Sequence, residues 1–260
     1  MVAQKSQLVI SEDGAVTQAY QKYRLLKQEV EHWQQERGSD WLKMLTLAEA
    51  PPYLPIKDLP SDAIVELWQR LNSVAKVEMS DADLRNIWEQ FRNGQDVNAM
   101  DEETATRFRM ALSGVASLAS QMANEKNVPA QGFGRTASDD PRECIVCPIC
   151  GEVSNLAILT PPNGHRLMHC TSCGFEWSVK RVGCLSCGSD DSKQQIFLSN
   201  EGYPGIAMAV CQLCGYSLKE IDTREASVQD YLWEDIRSLP LNFATELWLS
   251  EQAKKDNQVH

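Results

Sequence analysis

The chain has 260 residues, a net charge of −11 and 43% hydrophobic residues. That is enough for one or two domains with a real core, and the acidic balance argues against a protein built to hold phosphates. The only apolar run near the start, Leu8-Val9-Ile10, is far too short for a signal-peptide core or a membrane span, so the expected compartment is cytoplasmic, where thiols stay reduced.

The first half reads as helices. Val16, Tyr20, Tyr23, Leu26, Val30 and Trp33 recur at three- and four-residue steps and line one helix face. Ala50 to Pro60 carries four prolines and is expected to be irregular. Ser61 is placed as the N-cap of a second helix carrying Ile64, Leu67, Trp68, Leu71 and Val74. Ser80 with Asp83 resembles a capping box and leads into Leu84, Ile87, Trp88 and Phe91. Asp101 can cap a long helix with Phe108, Ala111, Leu112, Val115, Leu118 and Met122. These stripes read as core packing, and His32, on the first helix, as structural. The run from Asn127 to Pro141 is rich in glycine, proline and small polar residues and reads as a linker.

All nine cysteines fall between positions 144 and 214. Eight form four pairs, each closing on glycine: Cys147-x-x-Cys150-Gly151, Cys170-x-x-Cys173-Gly174, Cys184-x-x-Cys187-Gly188 and Cys211-x-x-Cys214-Gly215. Thiolates three positions apart reach one metal ion if the chain between them makes a tight knuckle. The turn after the second cysteine favours a left-handed residue, where glycine has no Cβ to clash. Two knuckles supply four sulfurs for a tetrahedral ion, and four knuckles supply two sites. Between Cys150 and Cys170 lie 19 residues, which fits two knuckles joined by a short strand excursion, and between Cys187 and Cys211 lie 23, slightly longer but the same layout. Sequential pairing gives site one as Cys147, Cys150, Cys170 and Cys173, and site two as Cys184, Cys187, Cys211 and Cys214. Crossed pairing stays open, because only 10 residues separate Cys173 from Cys184.

Cys144 makes a rival pair with Cys147, but Pro148 follows Cys147 and is locked at negative φ. Cys144 is then spare: either a tolerated thiol or an exchange thiol beside site one. Four glycine-closed copies do not fit thioredoxin-like chemistry, which uses one motif at a helix start.

Between the knuckles the pattern is one of short strands: Leu156 to Thr160, Arg166 to His169, Phe175 to Val179, Gln194 to Leu198 and Ile206 to Val210, with turns at Pro161 to Gly164 and Gly202 to Gly205. After Asp222 the chain returns to helix, with Ser227 and Asp230 as a capping signal before Tyr231, and a last helix from Leu241 to Lys254 after Pro240. The fold class is therefore α+β: a helical domain at 1–126, a linker at 127–143, two zinc-ribbon-like modules at 144–183 and 184–223, each with a four-cysteine site, and a C-terminal helical segment at 224–260.

Four thiolates around a dication carry a net −2 and need N–H groups and counter-charge nearby. His169, Lys180 and Arg181 are the candidates for that supporting role. A complete sulfur set leaves no open position to activate water, so neither site is set up for hydrolysis. Iron and zinc both accept these ligands. From Cys144 to Thr223 there are five Lys or Arg against seven Asp or Glu, which disfavours nucleic acid. No phosphate loop, nucleophile elbow or histidine–carboxylate pairing stands out, so the expectation is a binding or assembly protein and not an enzyme.

The stretch Arg166-Leu167-Met168-His169-Cys170-x-x-Cys173-x-Phe175-Glu176-Trp177-x-Val179-x-Arg181-Val182-x-Cys184-x-x-Cys187 resembles the FdhE family, the formate dehydrogenase accessory proteins. The likeness continues through Cys211-x-x-Cys214-Gly215-Tyr216-x-Leu218-Lys219-x-Ile221 to Asp235-Ile236-Arg237-Ser238-Leu239. It covers roughly Cys147 to Leu239. The N-terminal helical part looks shorter and diverged, and Cys144 is outside the pattern. The resemblance implies a helical domain followed by two rubredoxin-like modules. It also implies two metal ions in the four-cysteine sites, with iron favoured, and a role in maturing the molybdenum- or tungsten-containing catalytic subunit of formate dehydrogenase by binding it while immature. The sites would act as scaffold or redox sensor. The rival readings are a rubredoxin-like electron-transfer protein and, on charge a weaker one, a zinc-ribbon nucleic-acid factor.

Overall fold

A computed structural model describes residues 5–7, 14–95, 100–126 and 144–256. Four helices come first: α1 (Gly14–Leu42), α2 (Ser61–Ala75), α3 (Asp81–Arg92) and α4 (Glu102–Glu125). They form because most of the periodic apolar positions find one interior, with Tyr20 and Val74 left exposed. Trp33, Trp68 and Trp88 are fully buried there, and Trp68 packs on Phe108 with ring centroids 4.7 Å apart. Burying three indoles and their neighbours is worth several kcal/mol each before entropy is counted. Gly114 marks where the backbones come closest: a Cβ there would stand 2.5 Å from Leu67 Cδ2 and 2.8 Å from Val30 Cγ1.

The caps differ in detail from expectation. Asp101 caps α4 by accepting from the Thr104 N–H at 2.8 Å. Ser80 accepts from the Asp83 N–H, but its own hydroxyl donates to the Asp83 carboxylate, so only half of the reciprocal box forms. Ser61 is the first helical residue and Pro60 holds the cap position. The Ser61 hydroxyl instead accepts from Trp88 Nε1. Asp230, not Ser227, caps the fifth helix, accepting from the N–H groups of Leu232 and Trp233. The segment expected as a linker lies at 127–143, outside the described residues.

Six strands of the cysteine region and one from near the N-terminus form a seven-stranded sheet. Its strands are β1 (Lys5–Gln7), β2 (Leu156–Thr160), β3 (His165–His169), β4 (Glu176–Ser178), β5 (Gln195–Ser199), β6 (Ile206–Cys211) and β7 (Ser217–Asp222), in the order β1-β5-β6-β7-β2-β3-β4. Each ribbon supplies an antiparallel trio, β2-β3-β4 or β5-β6-β7. The trios join through parallel pairing of β2 with β7, with Ile158 opposite Ile221. The two ribbons therefore share one sheet. Sequence did not anticipate β7, whose central residues Lys219 and Glu220 are 1% and 5% exposed. A strand flanked on both sides loses the alternation that marks a half-buried one.

Two helices close the chain: α5 (Tyr231–Arg237) and α6 (Leu239–Asp256), with Pro240 in the first turn of α6, where its missing N–H costs little. Leu241, Trp248 and Leu249 of α6 pack over Leu198, Met208 and Val210. The other core runs without a break from the helical part into the first ribbon, from Trp33 to Trp177. The C-terminal segment also returns to the first helix. Asp230 accepts from Tyr23 Oη at 2.9 Å and pairs with Lys27 Nζ at 2.5 Å, while Trp233 lies against Tyr20 and Tyr23.

Candidate metal centres

Each ribbon repeats one plan: knuckle, strand, strand, knuckle, strand. The first and third knuckles precede β2 and β5; the second and fourth follow β3 and close β6. Backbone bonds define the turns. The Cys147 N–H donates to Glu152 O at 2.8 Å, and Gly151 N–H returns to Cys147 O at 2.9 Å. The same two bonds recur from Cys170 to Phe175 and from Gly174 to Cys170, and again from Cys211 to Tyr216 and from Gly215 to Cys211. The four closing glycines have φ between +73° and +80°. The knuckle turns therefore need the residue type the sequence supplies.

The turns bring the sulfurs together as two sets. Cys147, Cys150, Cys170 and Cys173 form one, and Cys184, Cys187, Cys211 and Cys214 the other, with all sulfurs of a set within 4.8 Å of one another. The pairing is sequential. The sulfurs lie 3.4 Å (Cys150–Cys170) and 3.5 Å (Cys147–Cys173) apart at site one, and 3.6 Å (Cys184–Cys214) and 3.8 Å (Cys187–Cys211) apart at site two. A tetrahedral ion with four metal–sulfur bonds of about 2.3 Å sets its sulfurs about 3.8 Å apart. The donor sets fit such an ion and are too open for disulfides. Both four-cysteine groups could hold metal ions.

Electrostatics ask for a cation. At site one, hydrogen bonds from Cys147, Cys150 and Cys173 hold the Cys170 thiol far below its usual range. Contacts with Cys147 and then Cys170, with burial, push Cys150 up against Cys173, and contacts with Cys147, Cys150 and Cys170, with burial, push Cys173 up. A first negative charge is favoured, and further ones need a positive centre. At site two, burial pushes Cys184 up to about 12, against the N–H groups of Cys187 and Ser186. Burial acts the same way on Cys211, but the N–H groups of Cys214 and Leu213 outweigh it and bring that thiol to about 7.

The surroundings of the two sites differ. At site one all four cysteines are at most 3% exposed. Its first knuckle is bonded to the proline-rich segment between α1 and α2: the N–H groups of Tyr53, Leu54 and Ile56 donate to the carbonyls of Pro148, Ile149 and Cys150 at 2.9, 2.7 and 3.3 Å. Ile149 is fully buried, and Pro52 lies over Gly151. Periodicity could not have found this seam, because the partner segment is extended and irregular. At site two Cys184 and Cys211 are buried, whereas Cys187 and Cys214 are exposed, beside an exposed Leu213.

The expected supporting residues sit as follows. His169 places Nδ1 3.0 Å from Glu176 Oε1 and its ring on Tyr231. Lys180 donates to Gly188 O at 3.0 Å and Asp190 Oδ1 at 2.8 Å, bracing the turn that closes the third knuckle. Arg181 is exposed. Arg166, not singled out in the sequence as a supporting residue, is one. Its Nη2 lies 2.5 Å from Glu220 Oε1 in a pair only 6% exposed on each side, and its Nη1 donates to Gly183 O at 3.3 Å, directly before Cys184. One arginine of the first ribbon thus holds the approach to site two. Cys144 places Sγ 3.4 Å from Leu185 O, inside the third knuckle. Its thiol therefore touches a knuckle of site two, whereas its sequence position had suggested site one.

Known proteins give the same picture. No family model matches the chain. An FdhE homolog of Edwardsiella ictaluri is 27% identical over 219 residues, covering 83% of this chain and 61% of that protein. Protein FdhE of Escherichia coli is 26% identical over 217 residues, with the same coverage. This chain is similar to the FdhE proteins. An FdhE homolog of Aquifex aeolicus reaches 30% identity over 110 residues, 41% of this chain and 37% of that one. The crystal structure of FdhE from Pseudomonas aeruginosa superposes with a TM-score of 0.54 at 18% identity, over 88% of this chain and 75% of that one, and so shares the fold. The chain spans about three-fifths of the length of the Edwardsiella and Escherichia FdhE proteins. The expected resemblance and the α+β fold class are both borne out. Among the described residues, no helix is long and apolar enough to cross a membrane.

Proposed function

We propose that this chain is a cytoplasmic accessory factor in the maturation of formate dehydrogenase, one that binds the immature catalytic subunit and is not itself an enzyme. The observation that carries the reading is a pair of complete four-cysteine sets on a fold shared with FdhE. In this reading Cys147, Cys150, Cys170 and Cys173 ligate one metal ion and Cys184, Cys187, Cys211 and Cys214 a second, with iron favoured over zinc. A thiolate-bound iron supplies a one-electron couple and a thiolate-bound zinc supplies structure alone. The helical domain and the fused ribbons form the surface that holds the partner. His169 and Lys180 support the knuckles through Glu176 and the Gly188 carbonyl.

The test is genetic and biochemical together. In a host lacking this chain, formate oxidation falls while the catalytic subunit is still made; if activity is unchanged, the reading is wrong. Complementation with zinc-loaded protein separates the two roles of the sites. Restored maturation supports a scaffold, and failure supports redox sensing.

A second reading has one observation in its favour. The exposed cysteines of site two would let an electron reach a bound iron, as in a rubredoxin-like carrier. A reversible one-electron couple with a small redox partner, and no complex with the catalytic subunit, would favour it.

A further inference from the structure

The two four-cysteine centres have the same ligands but different enclosures, and we infer that they divide the work: site one is a permanent clasp between the helical part and the sheet, and site two is the centre that exchanges its metal. The inference rests on the reading that both sets bind metal.

A metal leaves a four-thiolate site by stepwise replacement of its ligands, so an incoming ligand must first reach it. At site one no cysteine is more than 3% exposed. Freeing Cys147 or Cys150 there means lifting the first knuckle. That breaks the three backbone bonds from Tyr53, Leu54 and Ile56 and uncovers the fully buried Ile149. Opening of that kind is a local unfolding event, and each lost bond reduces the open population several-fold. At site two Cys187 and Cys214, on different knuckles, already face solvent. A chelator or a partner's thiolate can displace one of them with no core residue moving. Along that route three lost bonds alone slow release from site one by about a hundredfold relative to site two.

The same seam gives site one a second role. With a metal in place, the knuckle is a rigid edge on which residues 53–56 are hydrogen-bonded. Without one, those amides lose their acceptors in register. Among the described residues, site two makes no such backbone bonds with the helical part.

The experiment uses the full chain loaded with zinc, with the metal-to-protein ratio measured first. The chelator 4-(2-pyridylazo)resorcinol is added and zinc release is followed by absorbance. Hydrogen exchange of the Tyr53 and Leu54 amides is followed by mass spectrometry. Two bound zinc ions leaving in two equal phases about a hundredfold apart are expected. Cys187→Ser should remove the fast phase and leave Tyr53 and Leu54 protected, whereas Cys150→Ser should strip their protection and keep the fast phase. If Cys150→Ser does not fold, Pro52→Gly and Ile149→Ala, which loosen the seam and keep all eight ligands, must speed the slow phase alone. Two phases of equal rate, or a fast phase that survives Cys187→Ser and disappears with Cys150→Ser, overturn the division. A chain that binds no zinc overturns the metal reading along with it.

Discussion

Replacing Arg166 with methionine tests how the two ribbons are joined. Arg166 and Glu220 are each 6% exposed and 2.5 Å apart, and they bridge β3 and β7 across β2. Removing the guanidinium leaves Glu220 buried without its partner, and such a loss costs about 3–5 kcal/mol, far more than the pair itself contributes over an apolar replacement. Burial already raises the Glu220 carboxyl, and Arg166 is what opposes that rise. In Arg166→Met the carboxyl therefore moves further up, and the folded state binds a proton that the unfolded state does not. Stability of the variant then falls as pH rises from the unfolded pKa of Glu through the raised folded one. Urea unfolding at several pH values measures both effects. The double variant Arg166→Met with Glu220→Met should recover most of the loss and all of the added pH dependence. A single variant that loses less than about 1 kcal/mol, or a double variant no better than the single, would refute the reasoning. Arg166 also donates to the Gly183 carbonyl, so the single variant should weaken metal binding at site two and spare site one, read from cobalt–thiolate absorption after loading with one and two equivalents.

Three further outcomes are expected. Gly114→Ala should destabilise by about 1–3 kcal/mol in thermal or urea unfolding, because the overpacking against Leu67 and Val30 exceeds the gain in helix propensity of about 1 kcal/mol; a more stable variant would show that the helices separate freely. The Asp230 carboxyl would be raised by burial, but Lys27, the Trp233 N–H and Tyr23 outweigh this and hold it below its usual value. Its stabilising contribution is thus present above the unfolded pKa of Asp and lost as pH falls through the folded one, so Asp230→Asn should cost stability at pH 7 and progressively less in acid; urea unfolding across that range checks it, and a cost independent of pH would contradict it. Lys219→Met should loosen α5 from the sheet, since the buried ammonium donates to both the backbone O and the carboxylate Oδ1 of Asp235; faster exchange of the α5 amides would report it, and unchanged exchange would contradict it.

Much of this was legible in the chain itself, and the exceptions share a cause. The knuckles were legible because glycine at a left-handed turn and the cysteine spacing are local requirements. The helical stripes were legible because Trp33, Trp68 and Trp88 keep the helical period. What was hidden depends on contacts distant in sequence. β7 was missed because Lys219 and Glu220 are charged residues inside a strand, satisfied by Asp235 and Arg166 far along the chain. The seam between residues 53–56 and the first knuckle joins a proline-rich stretch to a turn, and neither has a period to read. Ser61 and Ser227 have the residue type of a cap, but Pro60 and Asp230 hold those positions.

The proposed role, handling an immature formate dehydrogenase through a surface built around two four-cysteine centres, is open to a direct test. The most direct measurement is an anaerobic pull-down of the tagged chain from its native host, with co-purifying proteins identified by mass spectrometry. The catalytic subunit of formate dehydrogenase should be recovered, and recovered less when Cys170 and Cys173 are both changed to serine. A catalytic subunit that the host makes and the chain does not retain would contradict it.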